Sequence, residues 1–193
     1  MYHIPDGMKL FERMSTEIPA DDSASVGEKM LLYWLIRDLQ PEVVIETGTH
    51  RGLASLYMAH ALYDNNKGHL HTADPFDWGQ PGNFAKFPEL DSRITYYRKD
   101  GSEMIDKLEN IDFAFIDGFH EVKDVVPEIK NLLPKLTKGA TVVFHDCWYG
   151  NTDGVNEALE ECGLTSIWLP TKNAIRIYQH GIDRPKSRDE IHN

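Results

Sequence analysis

Acidic residues stand at or just beyond the ends of five short apolar segments of this 193-residue sequence. They are Glu46, Asp74, Asp100, Asp117 and Asp146. If these segments are parallel strands, their carboxyl ends share the edge of the sheet at which such folds bind ligands. Five carboxylates at one edge repel each other unless something offsets their charge. The pattern therefore predicts a site for a cationic ligand, a metal ion or a group rich in hydroxyls.

The first of these acids opens a glycine-containing turn, Glu46-Thr47-Gly48-Thr49-His50-Arg51-Gly52. Glycines let the backbone approach a ligand closely between a strand and a helix. The G-x-x-x-G spacing departs from the G-x-G-x-x-G pattern of dinucleotide-binding turns, and an acid before the glycines favours an ammonium over a pyrophosphate. Asp74 follows Gly52 by 22 residues, which is near the ~20-residue offset typical of a ribose-binding carboxylate. The turn thus predicts a ligand that carries a ribose and a positive charge.

The elements that must position these residues alternate along the chain. We predict strands at 43–45, 69–73, 94–97, 113–116 and 141–144, and helices at 26–39, 53–63, from 101 to about 108, 122–136 and 154–162. Such alternation is typical of a mostly parallel sheet with helices on both faces. Two closing strands, at 165–169 and 174–178, have a short loop between them and must pair as an antiparallel hairpin. We expect an α/β fold with seven strands.

The helix predicted over 26–39 has a clear start signal, because Ser25 is a plausible N-cap and Glu28 stands three residues later. This pairing is a capping-box pattern. The segment before it is polar and broken by prolines, and we interpret 1–25 as a lead-in or lid, with a short helix near 8–14.

The remainder of the chain divides into one domain and a tail. We place a single domain at 26–180 and a polar, frayed tail at 181–193. Loops at 1–25, 76–92 and 147–153 are the candidates for contacting a substrate, and none of them carries a diagnostic motif. The N-terminal segment is interpreted either as a lid or as an interface in a homo-oligomer.

Composition excludes several classes of partner. The net charge of −11 disfavours nucleic acid, since an acidic surface repels phosphates. No stretch approaches the ~20 apolar residues that cross a membrane, and the N-terminus does not resemble a secretory signal. The two cysteines are too few for a disulfide framework and are expected to be reduced thiols of a cytoplasmic protein. A small-molecule or sugar substrate fits this balance.

Taken together, the motifs resemble those of class I S-adenosylmethionine (SAM)-dependent methyltransferases. The turn Glu46-Thr47-Gly48-Thr49-x-x-Gly52 resembles their first motif, and Asp100-Gly101-Ser102 resembles the segment that lies along the adenine. The runs at 115–120 and 139–146 are similar to a branch of small bacterial O-methyltransferases. This branch includes the macrocin O-methyltransferase and cephalosporin hydroxylase-like groups, and its layout is related to that of catechol O-methyltransferase. The resemblance covers roughly residues 25–150.

The resemblance implies a Rossmann-like methyltransferase fold and a set of cofactor-binding residues. That set comprises Glu46, Gly48, Thr49, Gly52, Asp74, Asp100, Gly101 and Asp117. In the family Asp74 would grip the ribose hydroxyls. The implied reaction is an in-line transfer of the sulfonium methyl to a hydroxyl oxygen.

The resemblance also implies a divalent metal ion, with magnesium as the candidate, held by Asp117, His145 and Asp146. His145 departs from the oxygen ligands that magnesium prefers. His120 stands where catechol O-methyltransferase has its catalytic base, three residues after the acid of the fourth strand. A histidine titrates near neutral pH and can act as a general base. We therefore name His120 and His145 as the candidate catalytic residues.

Two other functions are compatible with the predicted fold and site. A nucleotide-dependent oxidoreductase would share the fold, but the glycine spacing argues against it. A hydroxylase-like member that binds metal without transferring methyl is the second alternative. It could hold iron through two histidines and a carboxylate, drawn from Asp117, His120, His145 and Asp146.

Overall fold

A computed structural model describes residues 6–18, 24–148 and 154–182. Its centre is a seven-stranded sheet with the strand order β3-β2-β1-β4-β5-β7-β6. The strands are β1 Val43–Thr47, β2 His69–Ala73, β3 Ile94–Tyr97, β4 Ile111–Ile116, β5 Leu136–Phe144, β6 Ile167–Leu169 and β7 Ile175–Gln179. The first five strands pair in parallel, and β7 pairs antiparallel to both β5 and β6. The predicted seven-stranded α/β fold is confirmed.

Seven α-helices of the described residues surround the sheet. They are α1 Asp6–Glu17, α2 Val26–Leu39, α3 Leu53–Asn65, α4 Gln80–Phe84, α5 Gly101–Ile105, α6 Val122–Leu132 and α7 Gly154–Glu161. The segment at 76–92, predicted as a long loop with room for one helical turn, contains α4 and a 3₁₀ helix, Pro88–Arg93. The helix predicted to reach residue 136 ends at Leu132, because Pro134 lacks the N–H that would continue it.

Helix α2 begins with the predicted capping box. The Ser25 hydroxyl accepts a hydrogen bond from the Glu28 backbone N–H, and the Glu28 carboxylate accepts one from the Ser25 backbone N–H. The same glutamate is only 1% exposed. A capping glutamate usually lies at the surface, so this burial indicates that the Glu28 side chain has a further environment inside the protein.

The two faces of the sheet pack against different helices. Helices α2 and α3 cover one face, and ten consecutive residues of α3, Leu53–Leu62, are buried. Helices α5, α6 and α7 cover the other face through side chains such as Met104, Val125 and Leu159. The parallel strands therefore lie buried between two layers, as in α/β proteins generally. Their carboxyl ends all open at one edge.

The N-terminal lead-in forms a helix that docks on α3. Leu10, Met14 and Ile18 are buried in a cluster with Leu56 and Tyr57 of α3. Residues 1–5, 19–23 and 183–193, which include much of the predicted lead-in and tail, lie outside the described residues. Within the described part of the chain, no helix is long and apolar enough to cross a membrane.

Candidate functional site

A cavity of about 290 Å³ opens at the carboxyl ends of β1, β2 and β3. We call it the strand-end cavity. It is lined by Thr47, Gly48, Ala73, Asp74, Pro75, Phe76, Asp100, Gly101, Ser102, Gly118, Phe119, Lys123, Asp124, Pro127 and Glu128. A larger groove of about 600 Å³ lies between the amino ends of the central strands, and it is bordered by charges of both signs. The predicted motifs lie at the smaller, strand-end cavity, which is the edge where this class of fold binds ligands.

Gly48 forms the point where the turn after β1 meets the end of β4. Its φ is +83°, and a Cβ atom placed there would lie 2.1 Å from the Asp117 carbonyl oxygen. The Gly48 N–H donates to the Ala73 carbonyl at the end of β2, at 2.9 Å. Any larger residue would both strain the backbone and collide with it. The glycine thus brings the ends of three strands together.

Gly52, at the other end of the turn, has a φ of +84° and lies against the ring of Phe84 from α4. It does not line the strand-end cavity. Thr49 also lies behind the cavity, where its hydroxyl is 2.6 Å from that of Thr72. Both residues thus support the turn from the side away from the cavity, and their contact with a cofactor stays a prediction.

Asp74 faces the cavity with its carboxylate fixed in place. One oxygen accepts the His50 backbone N–H and the other accepts that of Phe76, each at 2.8 Å. Each carboxylate oxygen has two lone pairs, so both remain able to accept a further hydrogen bond. The arrangement gives an oriented acceptor for a pair of hydroxyls.

Asp100 and Gly101 form the far wall of the cavity. The Asp100 carboxylate caps α5 by accepting the Ser102 backbone N–H at 2.9 Å. A Cβ on Gly101 would lie 2.5 Å from the Thr47 side chain, so only glycine fits between β1 and α5. The prediction that Asp100-Gly101 lies at the site agrees with this placement.

Glu46 lies beneath the turn and not in the cavity. It is fully buried, and its carboxyl accepts hydrogen bonds from the Ser55 hydroxyl and, at 2.5 Å, from the Thr72 hydroxyl. Burial raises the pKa of Glu46 to about 8, and the negative charges of Asp117 and Asp74 act in the same direction. This shift favours the neutral carboxyl in the folded protein, and Glu46 supports the turn through its hydroxyl contacts.

The sequence interpretation missed Glu128, a buried acid on α6 that also lines the cavity. Burial raises the pKa of Glu128 to about 7, and the nearby Asp100 and Asp124 reinforce the shift. Its signal was present in the sequence, because an acid interrupts an otherwise apolar helix face. That face is formed by Val125, Val126, Ile129 and Leu132.

Next to the cavity, at the ends of β4 and β5, lies a group that we call the acid–histidine cluster: Asp117, His120, His145 and Asp146. Single ligand atoms of Asp117, His120 and Asp146 lie within 4.8 Å of one another. The His120 ring nitrogen Nε2 is 3.3 Å from an Asp146 carboxylate oxygen, and the His120 side chain is 25% exposed. Two carboxylates and one imidazole at this separation could hold a divalent cation.

His145 lies beside Asp117 and Asp146, on the inner side of the acid–histidine cluster. Its side chain is fully buried, Nδ1 lies 2.7 Å from an Asp117 oxygen, and Nε2 lies 3.4 Å from a Glu28 oxygen. Burial disfavours the charged ring, yet Asp117, Asp146 and Glu28 together raise the pKa of His145 to about 12. Both ring nitrogens thus face carboxylates, and the role of His145 as a ligand or base stays a prediction. His120 is the histidine whose ligand atom lies close to those of Asp117 and Asp146.

Glu28 is the second residue that the sequence interpretation did not assign to the site. Burial opposes its charge, but the facing His145 ring and a hydrogen bond from the Asn173 backbone N–H hold the pKa of Glu28 well below its usual range. A capping box predicts this glutamate's helix contact and nothing about the site. The predicted substrate loop at 147–153 lies mostly outside the described residues, because 149–153 are not described.

The structure is a Rossmann-like α/β fold with a cavity at the carboxyl ends of its strands. A family model described as a methyltransferase domain matches residues 45–147, which is more than half of the chain. The chain belongs to this methyltransferase family, and the predicted resemblance to methyltransferases is confirmed. The chain also matches an uncharacterized protein, y4gI, of Sinorhizobium fredii, with 30% identity over 129 residues. That match covers 58% of this chain and 14% of the relative.

Solved structures share the fold across nearly the whole chain. The Podospora anserina methyltransferase PaMTH1, bound to SAH, superposes with a TM-score of 0.72 at 17% identity, covering 94% of this chain and 90% of that one. An O-methyltransferase from Bacillus cereus in complex with SAH gives 0.69 at 16%, with 92% of each chain covered. The O-methyltransferase TomG from Streptomyces achromogenes, in complex with SAM, gives 0.68 at 18%, covering 93% and 92%. At these identities the likeness establishes the fold.

Proposed function

We propose that this protein transfers a methyl group from SAM to a hydroxyl of a small molecule or sugar. The observation that carries the proposal is the strand-end cavity, in which a glycine turn and the oriented carboxylate of Asp74 face the same space. Membership of the methyltransferase family supports it, as do the SAM and SAH complexes of proteins with this fold.

The residues lining the cavity fit such a cofactor. The free lone pairs of Asp74 would accept the two ribose hydroxyls, and Gly48 would allow close approach of the backbone. Four carboxyl groups and one lysine border the space, which favours a ligand that carries positive charge. When bound, SAM would supply a methyl group already activated by its sulfonium.

His120 is the proposed general base. It is partly exposed, and it lies beside the cavity-lining residues Gly118 and Phe119. Its Nε2 faces an Asp146 oxygen, which would stabilise the ring after it accepts a proton from the acceptor hydroxyl. His145 is buried among carboxylates and cannot reach an acceptor.

The proposal also includes a divalent cation at the acid–histidine cluster. The donor atoms of Asp117, His120 and Asp146 are close enough to share one ion, and such an ion would bind and acidify the acceptor hydroxyl. If His120 is a ligand it cannot also be the free base, so the two roles are alternatives. Because one donor is an imidazole, we expect manganese to bind more tightly than magnesium.

The first test is a calorimetric titration of SAM into the purified protein, with NAD as the comparison ligand. We expect SAM to bind and NAD not to bind. The Asp74→Asn variant should bind SAM roughly 10- to 100-fold more weakly, the usual range for losing hydrogen bonds to a charged acceptor. Asp77→Asn is the matched control, because Asp77 is an exposed aspartate in the same loop.

Each outcome of this titration has a clear meaning. Binding of NAD in place of SAM would contradict the proposal and favour the oxidoreductase alternative. Equal loss of SAM affinity in both variants would show that Asp74 has no specific role. The hydroxylase-like alternative with two histidines and one carboxylate requires His145 as a ligand, and its burial against Asp117 and Glu28 weighs against that.

A further inference from the structure

Glu28 belongs to a helix that precedes the family-matched segment, yet its carboxylate contacts the interior of the acid–histidine cluster. One oxygen, Oε2, accepts the Ser25 N–H at 2.6 Å and also faces His145 Nε2 at 3.4 Å. The other, Oε1, accepts the Asn173 backbone N–H at 3.0 Å, between β6 and β7. Glu28 thus ties the start of α2 and the β6–β7 turn to the end of β5.

His145 connects Glu28 to the two aspartates of the acid–histidine cluster. Its opposite ring nitrogen, Nδ1, lies 2.7 Å from Asp117 Oδ1 and 3.3 Å from Asp146 Oδ1. Glu28 and His145 are 1% exposed, so water does not compete for these contacts. The hydrogen bond of Nδ1 to Asp117 and the ion-pair contact of Nε2 with Glu28 together favour one orientation of the ring. That orientation in turn limits the directions in which the two aspartates can point their remaining lone pairs.

We propose that Glu28 is a positioning residue, which acts through His145 to set the orientation of Asp117 and Asp146 toward His120. The capping role of Glu28 does not require this contact, since a capping box needs only the first turn of a helix. The consequence for methyl transfer rests on the proposed function. The positioning itself can be measured without cofactor or acceptor.

The experiment compares the wild type with Glu28→Gln, which keeps the size and an oxygen acceptor but removes the charge. The readout is the set of His120 ring signals in ¹⁵N–¹H correlation spectra of the metal-free protein, assigned with a His120→Gln variant. We expect the His120 signals to move in Glu28→Gln. The matched control is Ser25→Ala, which weakens the same helix cap without touching His145, and it should leave the His120 signals in place.

Metal affinity gives a second readout. With manganese as the probe, we expect Glu28→Gln to raise the Kd about tenfold, the lower end of the effects seen when groups behind metal ligands are changed. His145→Gln should have an effect of similar size, and the double variant should be no worse than either single one, because the two residues act in series. SAM affinity should change less than twofold, because Glu28 does not line the strand-end cavity.

Unchanged His120 signals in folded Glu28→Gln would overturn the inference, as would equal shifts in Ser25→Ala. If Glu28→Gln does not fold, Glu28→Asp keeps the charge on a shorter side chain. Its His120 signals should then move relative to the wild type, and unchanged signals would overturn the inference. If the wild type binds neither SAM nor manganese, the proposed function fails. The His120 comparison still decides the positioning role, because it uses neither ligand.

Discussion

The strand-end cavity and the acid–histidine cluster lie side by side at one edge of the sheet, and they are built in different ways. The cavity is formed largely by backbone: a glycine turn, the N–H groups that hold Asp74, and the capped start of α5. The cluster is formed by side chains that follow β4 and β5 and that hold each other by charge, with Glu28 of α2 in contact behind them.

This difference sets what each region can tolerate. A backbone-built cavity depends on a few positions where only glycine fits, while its acidic side chains remain free to serve the ligand. A buried charge cluster depends on every member, because removing one partner leaves another charge without compensation. We therefore expect the loss of an acid in the cluster to lower the free energy of unfolding. We expect the loss of an acid in the cavity to weaken ligand binding with little effect on stability.

The largest expected effect is that of Gly48→Ala, because Gly48 joins the cavity to the cluster. The added Cβ would lie 2.1 Å from the Asp117 carbonyl oxygen, at a φ of +83°. We expect a loss of roughly 4 kcal/mol or more in the free energy of unfolding, from strain and overpacking together. Urea denaturation measures it, and SAM binding should be lost with it.

A comparison with Gly79→Ala separates backbone strain from overpacking as the cause of the lost stability. Gly79 has nearly the same φ, +82°, but a Cβ there would meet no atom within 4 Å. Only backbone strain then remains, and we expect a cost of about 1 kcal/mol. Equal losses in Gly48→Ala and Gly79→Ala would show that the close contact with the end of β4 contributes nothing.

The next prediction compares the same change, aspartate to asparagine, in the cluster and in the cavity. Asp117→Asn removes the charge that faces the buried His145, and we expect it to lower the free energy of unfolding by about 3 kcal/mol. Asp74→Asn leaves no buried cation unpaired, so we expect a cost of less than about 1 kcal/mol together with the loss of SAM affinity. Urea denaturation of both variants checks this. A stability loss of the same size in both would contradict the distinction between the regions.

The cavity could be predicted from the sequence because its determinants are local. The turn Glu46–Gly52, the strand ends and the spacing to Asp74 are all visible as short patterns, and the structure brings them to one edge. The short patterns did not predict the direction in which each side chain points. Alternation along β1 sends Glu46 to the face under α3, where the hydroxyls of Ser55 and Thr72 receive it.

The cluster could be predicted only in part, because its contacts join distant segments. The pairing of His145 with Asp146 in the sequence suggested two ligands. The chain has left the strand there, and the φ of Asp146 is +50°, a backbone turn that the sequence pattern did not predict. His145 points inward to Glu28, which lies 117 positions earlier in the sequence, and no short pattern reports that contact. The sequence allowed one helical turn within 76–92 but did not place it, since Phe84 of α4 packs on Gly52, a residue 32 positions earlier.

The last prediction concerns the pH dependence of stability beneath the turn. Burial raises the pKa of Glu46 from 4.5 to about 8, so the folded protein favours the neutral carboxyl. Its stabilising contribution is complete below about pH 4.5 and is lost progressively as the pH rises to about 8, since only the unfolded chain ionises freely in that window. Glu46→Gln cannot ionise and lacks this loss. The difference between wild type and variant should change by at most about 1.4 kcal/mol per pH unit.

Urea denaturation of both proteins between pH 5 and pH 8, in steps of about one unit, measures this difference. Glu42→Gln is the control, because Glu42 is an exposed acid only four positions earlier, and its curve should run parallel to that of the wild type. If Glu46→Gln also runs parallel, Glu46 is ionised in the folded protein. Its buried charge would then need a cation beneath the turn, and the backbone-built half of the site would depend on charge as the cluster does.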